Sequence, residues 1–154
     1  MTQTELKEII ENPKMFLRQG INTKKLIAMK QDRIKSWRRL AESTAAPTDK
    51  NKSGSNRLAQ KDRLLEDTIS EIDTLETEIY EEIRELIKIE RQVKAAIDLL
   101  AFDERHKILL EMRYLNGYSW KIISAKMHYG EDWVCRLHGV ALMAVKQHAE
   151  KLTV

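Results

Sequence analysis

"SWKIISAKMHYGEDWVCRLHG", residues 119–139, decides how the C-terminal third of this 154-residue chain is read. Ser119 is a hydroxyl directly before an apolar-periodic run, the usual opening of a helix. Trp120, Ile123 and Met127 then recur at helical spacing, and the "HYG" at 128–130 breaks the run. A second helix follows from Glu131, with Val134, Leu137 and Ala141 on one face. Two short helices joined by a tight turn have four needs. They need a small residue at the crossing, a residue tolerant of positive φ in the turn, an apolar residue after it, and an i, i+3 apolar pair on the second helix. Ser124 with Ala125, His128, Tyr129, and Val134 with Leu137 fill those places in turn. Glycine would fit the turn more easily than His128.

Upstream, "DERHKILLEMRYLNG" (103–117) supplies one more helix. Asp103 is its N-cap, Ile108, Leu109, Met112 and Leu115 its apolar face, and Gly117 its stop. The three apolar sets are expected to share one core.

Charge is unevenly spread, although the net value is only +3. Residues 1–56 carry 12 Lys/Arg against 6 Asp/Glu, residues 57–100 carry 7 against 12, and residues 101–154 carry 8 against 6. A basic, an acidic and a mildly basic segment point to three parts with different jobs. In the first, Asn12 caps a helix opened by Pro13, Gly20 is expected to interrupt it, and Asn22 or Thr23 to restart it. Leu26, Ile27, Met29, Ile34, Trp37, Leu40 and Ala41 follow a broad apolar face between the cations Lys24 to Arg39. "STAAPTDKNKSGSN" (43–56) has no large apolar residue and contains Pro47 and Gly54, so a mobile linker is expected.

From Arg57 to about Leu100 the apolar residues step by alternate fours and threes: Leu65, Ile69, Ile72, Ile79, Ile83, Leu86, Val93, Ile97, Leu100. Glu76 and Glu90 interrupt that seam. The pattern predicts a coiled-coil or hairpin helix of roughly 60 Å that something must cover. One covering is the basic helix folded back antiparallel, its cations meeting Asp67, Glu71, Glu78, Glu81, Glu82 and Glu85. The other is a second copy of the chain, giving a homodimer through the coiled coil. The expected division is an arm at 1–100 and a reading domain at 101–154, all α.

No apolar run approaches the roughly 18 residues of a membrane span, and "MTQTELKEII" lacks the apolar region of a signal peptide. The single Cys135 suits a reducing, cytoplasmic setting. Cys135 and His138 alone do not make a zinc site. No strand-turn geometry or orienting acid accompanies them, so neither an enzyme, a metal nor a cofactor is expected.

The segment "LLEMRYLNGYSWKIISAKMHYGEDWVCRLHGVALMAVK" resembles region 4 of bacterial sigma factors. Arg113, Tyr114, Gly117, Ser119, Ile123, Met127, Val134, Leu137, Ala141 and Leu142 occupy matching places. No region-2-like segment accompanies it. A helical, charged N-terminal half with this C-terminus resembles the ArpU/RinA-type phage and prophage regulators of late-gene transcription. What the resemblance implies is sequence-specific binding of double-stranded DNA in a bacterial host cell, with host RNA polymerase as a further partner.

Within the resemblance Glu131, Asp132, Cys135 and Arg136 face the major groove. Arg136 suits guanine O6 and N7; as a plain helix charge it would instead pair with Asp132. Ser119 and Lys121 suit a phosphate at a helix N-terminus. With Gly130 and Trp133 these complete the expected DNA-contacting set. Acids in a first helical turn suit the helix dipole, and an acid at the tip can accept from cytosine N4. The alternative is an adaptor that docks on RNA polymerase or a phage partner and reads no DNA itself. A small packaging subunit is a third and weaker reading.

Overall fold

The computed structural model describes residues 1–46 and 54–153. Among these residues every regular element is helical, and no helix is long and apolar enough to cross a membrane. The helices are α1 (Gln3–Glu11), α2 (Pro13–Ala45), α3 (Ser55–Leu100), α4 (Glu104–Leu110), a π-helical turn (Glu111–Leu115), α5 (Trp120–Met127) and α6 (Glu131–Leu152).

The packing forms two compact units: residues 1–24 with 85 onward, and residues 25–84. To the C-terminal helices α4 to α6 the first unit adds α1, the start of α2 and the end of α3. Thr2 starts α1 with a capping box: Glu5 N–H donates to its hydroxyl (3.2 Å), and Thr2 N–H donates to the Glu5 carboxylate (2.7 Å). Leu6 and Ile9 are the buried side of α1, which packs on α6. Asn12 then caps α2, its side-chain oxygen accepting from Met15 N–H at 3.0 Å.

Gly20 does not interrupt α2, which runs unbroken through it. The residue is buried, and a Cβ there would meet side-chain atoms of Leu86, Ile89 and Glu90 at 3.7 Å. The apparent breaker is therefore a place where α2 lies close to α3. Lys24 pairs with Glu90 and donates to the Leu115 carbonyl, an acceptor left over where the π-turn ends. At the far end of α3, His148 Nδ1–H donates to the Leu100 carbonyl at 2.6 Å, and Phe102 stacks on its ring at 3.9 Å.

One apolar core joins these parts. Ile97, Leu100, Leu109, Leu110, Ile123, Val134, Ala141 and Ala149 are wholly buried, with Ile9, Leu17, Val93 and Val145 around them. Leu109 takes its expected place, but Ile108 is 42% exposed and Leu110 fills the core instead. Met112, Leu115, Trp120 and Met127 are half-buried at the core's edge.

In the second unit α2 and α3 run antiparallel. Lys30 pairs with Glu82 and with Glu78 (3.0 Å), and Arg38 pairs with Glu76 at 2.9 Å. Both glutamates hold Lys30 further on the protonated side than an ordinary lysine, Glu82 most strongly. The expected cation–acid pairing thus occurs, but through Glu78 and Glu82 among the acids named from the sequence. The two seam-breaking residues, Glu76 and Glu90, each take a cation from α2. Ile27, Ile34, Leu75 and Ile79 form the buried strip, with Thr68 satisfied by the Leu64 carbonyl at 2.7 Å. The apolar face expected on α2 is narrower than the sequence suggests, since Leu26, Met29 and Leu40 lie exposed. A single neighbouring helix covers only one side of α2. Of the expected linker, 43–45 continue α2 and 55–56 begin α3, while 47–53 lie outside the described residues.

Candidate functional site

The site is built on α5, the turn at 128–130 and the first turns of α6. Ser119 N-caps α5, its hydroxyl accepting from Ile122 N–H at 3.3 Å. The turn needs a residue at positive φ, and His128 supplies it at φ 59°, ψ 37°. Histidine tolerates this region better than most side chains do, so the chain needs no glycine here. Ser124 secures the turn on both sides. Its hydroxyl donates to the Tyr129 carbonyl, while its own carbonyl accepts from Tyr129 N–H at 3.2 Å. Gly130 is the N-cap of α6 and offers no side-chain cap, so the first amides of α6 point outward unclaimed by a capping side chain.

The inward faces lock the two helices together. Ile123 on α5 and Val134 and Ala141 on α6 are wholly buried, and Leu137 nearly so. All eight expected DNA-contacting residues lie on the other side, in solvent: Ser119, Lys121, Gly130, Glu131, Asp132, Trp133, Cys135 and Arg136. Gly130 at the N-cap and five more in the first two turns of α6 lie along roughly 9 Å. Arg136 and Asp132 do not form the ion pair that their i, i+4 spacing allows. Among the described residues, the ion pairs of this region are confined to Arg105 with Asp103 and to a cluster of Lys94, Lys107, Asp98 and Glu111. Arg136 and Lys121 thus remain open to an outside anion. Trp133 is 47% exposed, its ring 6.2 Å from that of Tyr129.

Two groupings escape a reading by sequence. One is a rim at the tip of α6. Arg105, in the first turn of α4, lies 3.2 Å from the Asp103 carboxylate, and the Tyr129 side chain lies near enough to act on its charge. That carboxylate above all, then Tyr129, holds the guanidinium more firmly charged than usual. Reciprocally, the guanidinium pulls the Asp103 carboxyl below its ordinary range. A cation is therefore fixed beside the turn that precedes Glu131 and Asp132. The other grouping is an aromatic chain behind the site. The Tyr114 hydroxyl is 2.7 Å from His138 Nε2, and Trp120 meets the His138 ring edge-on at 4.7 Å. The Arg113 guanidinium lies 4.3 Å above Trp120 and donates to the Tyr118 carbonyl at 2.9 Å. Burial, reinforced by Lys14 and Arg113, drives His138 down to about 4, so it is neutral at pH 7. Burial raises Tyr114 to about 12. Both rings stay uncharged; Tyr114 ties the π-helical turn, and Trp120 the start of α5, to His138 in the middle of α6.

This arrangement can present a narrow, solvated helix tip to a groove wide enough for a helix. Arg136 lies exposed on α6, and Ser119 and Lys121 lie exposed at the N-terminus of α5, an end whose free amides favour an anion. No protein-family model, curated protein or solved structure matches the chain.

Proposed function

We propose that this chain is a sequence-specific DNA-binding regulator of transcription whose α5–turn–α6 acts as a sigma-region-4-like helix-turn-helix. In this reading α6 enters the major groove, Arg136 reads a base, and Ser119 and Lys121 hold a phosphate. Glu131 or Asp132 accepts from a cytosine amine, and the protein activates a phage or prophage operon together with host RNA polymerase. One observation carries the reading. The two helices bury Ile123, Val134, Leu137 and Ala141 in one core and leave all eight expected contact residues in water, around a turn closed by His128 at positive φ.

The test is a fluorescence-anisotropy titration of the full chain against the DNA upstream of its own coding sequence, at several salt concentrations. A specific complex is expected to weaken steeply as salt rises, because phosphate contacts release counterions. Arg136→Ala should cost about 1–3 kcal/mol and relax the preference at one base pair. Lys121→Ala should weaken binding to all sequences alike. Absence of binding at low salt would sink the proposal.

A second reading, an adaptor that docks on RNA polymerase, draws on a different observation. Trp133 (47%), Val140 (56%) and Met143 (64%) lie exposed on α6, at spacings that share one side of the helix. Val140→Glu and Met143→Glu should leave DNA affinity intact. Loss of polymerase capture by these variants, with no DNA binding by the parent chain, would favour the adaptor.

A further inference from the structure

Within residues 25–84, α3 keeps an apolar stripe that its partner helix does not cover. Ile69 is 55% exposed, Tyr80 71% and Ile83 37%, and Leu65 and Ile72 are half-buried. Their steps of four, three, eight and three residues keep them on one side of the helix, beside the buried strip of Leu75 and Ile79. Tyr80 and Ile83 border an open groove whose other wall, on α2, carries Gln31, Lys35 and Arg38. A long stripe at coiled-coil spacing fits another helix rather than a small molecule.

We infer that this stripe is a self-association face, on which α3 of a second copy packs antiparallel to form an isologous dimer. Charge and apolar matching choose the occupant and its direction together. Helical spacing sets Asp62, Glu66, Asp73 and Arg84 along the outer border of the stripe. All four are exposed, and none belongs to an ion pair among the described residues. In an antiparallel coil the same border of each helix meets its counterpart. A register centred near Thr74 then sets Leu65 against Ile83 of the second copy, and Ile69 against its Tyr80. It also brings Arg84 between Asp62 and Glu66 of the other copy, twice by symmetry, against one approach of like charges where Asp73 meets its counterpart near the centre. The remaining contact, Ile72 against Glu76, is tolerable because Arg38 already holds that carboxylate at 2.9 Å. A parallel α3 pair would instead turn this border toward the opposite border of the second copy, the side that α2 already covers, and leave Arg84 without its two acids. Packing α2 of the second copy on the stripe would press Lys35 and Arg38 onto isoleucines.

Sedimentation equilibrium of the full chain is expected to give a dimer. Ile69→Asp should weaken it about a hundredfold by stranding a charge in the interface, with helix content unchanged in circular dichroism. Arg84→Glu should weaken it less, and adding Asp62→Lys with Glu66→Lys should restore it. In a Cys135→Ser background, a mixture of Leu65→Cys and Ile83→Cys chains should cross-link far faster than either variant alone. A monomer at about 100 μM, a dimer indifferent to Ile69→Asp, or faster cross-linking of either variant with itself would each overturn the inference. DNA affinity of a forced monomer reports separately on the reading helix.

Discussion

The two compact units solve one problem, how to bury a helix, in opposite ways. In the unit built from the chain ends, α6 is enclosed along its inner side by α1, α4 and α5, and eighteen buried residues form one cluster. Between residues 25 and 84 two helices cover one another on a single strip: Ile27, Ile34, Thr68, Leu75 and Ile79 are its buried residues among those described. Polar groups are used differently as well. The first unit buries neutral rings, Tyr114 and His138, in contact with each other. The second unit pairs its charges between Lys30 or Arg38 and the glutamates of α3, Lys30 with Glu82 largely covered and Arg38 with Glu76 at the solvated rim. Enclosure makes a rigid platform for a site. A two-helix strip is extendable, since its uncovered sides can accept another helix.

The largest effect that can break this contrast is a core truncation. Leu109→Ala removes a wholly buried side chain of the first unit and should cost about 2–5 kcal/mol. Leu40→Ala, a same-sized deletion at a side chain 55% exposed, should stay within about 0.5 kcal/mol. Urea unfolding followed by circular dichroism measures both. Equal losses would mean that the second unit is as enclosed as the first.

Next comes pH. His138 has its folded pKa depressed from 6.5 to about 4 by burial, then by Lys14 and Arg113. The folded form therefore binds fewer protons than the unfolded chain between those values. Its contribution is present in full above pH 6.5 and is lost progressively as pH falls toward 4, by at most about 3 kcal/mol. In His138→Gln, which can still accept from the Tyr114 hydroxyl, this slope should disappear. The test is the difference in stability between parent and variant from pH 7 to 4. A difference that stays constant across that range would remove the buried neutral imidazole from the account.

Local signals were the most legible in the sequence, because they act within one turn of chain. Asp103 and Ser119 cap where a short polar side chain precedes an apolar run, and His128 takes the positive φ that the spacing of the turn demands. Residues 131–133, 135 and 136 face water because Val134, Leu137 and Ala141 fix the phase of α6. What stayed hidden depends on partners distant in sequence. Nothing near Gly20 announces that Leu86 and Ile89 will lie against it. Nothing near Tyr114 announces His138, 24 residues on. Arg105 looks like any first-turn charge until the fold brings Tyr129 beside it. The seam defects were visible as Glu76 and Glu90, but their purpose required the cations of α2.

Gly20 supplies a smaller effect of opposite sign. The residue is helical, and an added Cβ would make only ordinary contacts at 3.7 Å. Gly20→Ala should therefore stabilise the chain by about 0.5–1 kcal/mol, through lower backbone entropy in the unfolded state. Thermal unfolding reads this as a rise in Tm. Destabilisation would show that α2 and α3 pack too tightly there to admit a methyl group.

The smallest effect separates the hairpin's rim from its strip. Arg38 and Glu76 are bonded at 2.9 Å, yet their side chains are 59% and 41% exposed. Water and salt screen such a pair, so a double-mutant cycle with Arg38→Ala and Glu76→Ala should give a coupling of about 0.2–1 kcal/mol that shrinks as salt is added. Protein concentration sharpens the measurement. If a second α3 covers Glu76, water leaves the pair and the same charges interact through a lower dielectric. The coupling should then be larger at concentrations where the chain is dimeric than in dilute solution. A coupling that ignores both salt and concentration would place Glu76 outside the covered stripe, and with it the register centred near Thr74.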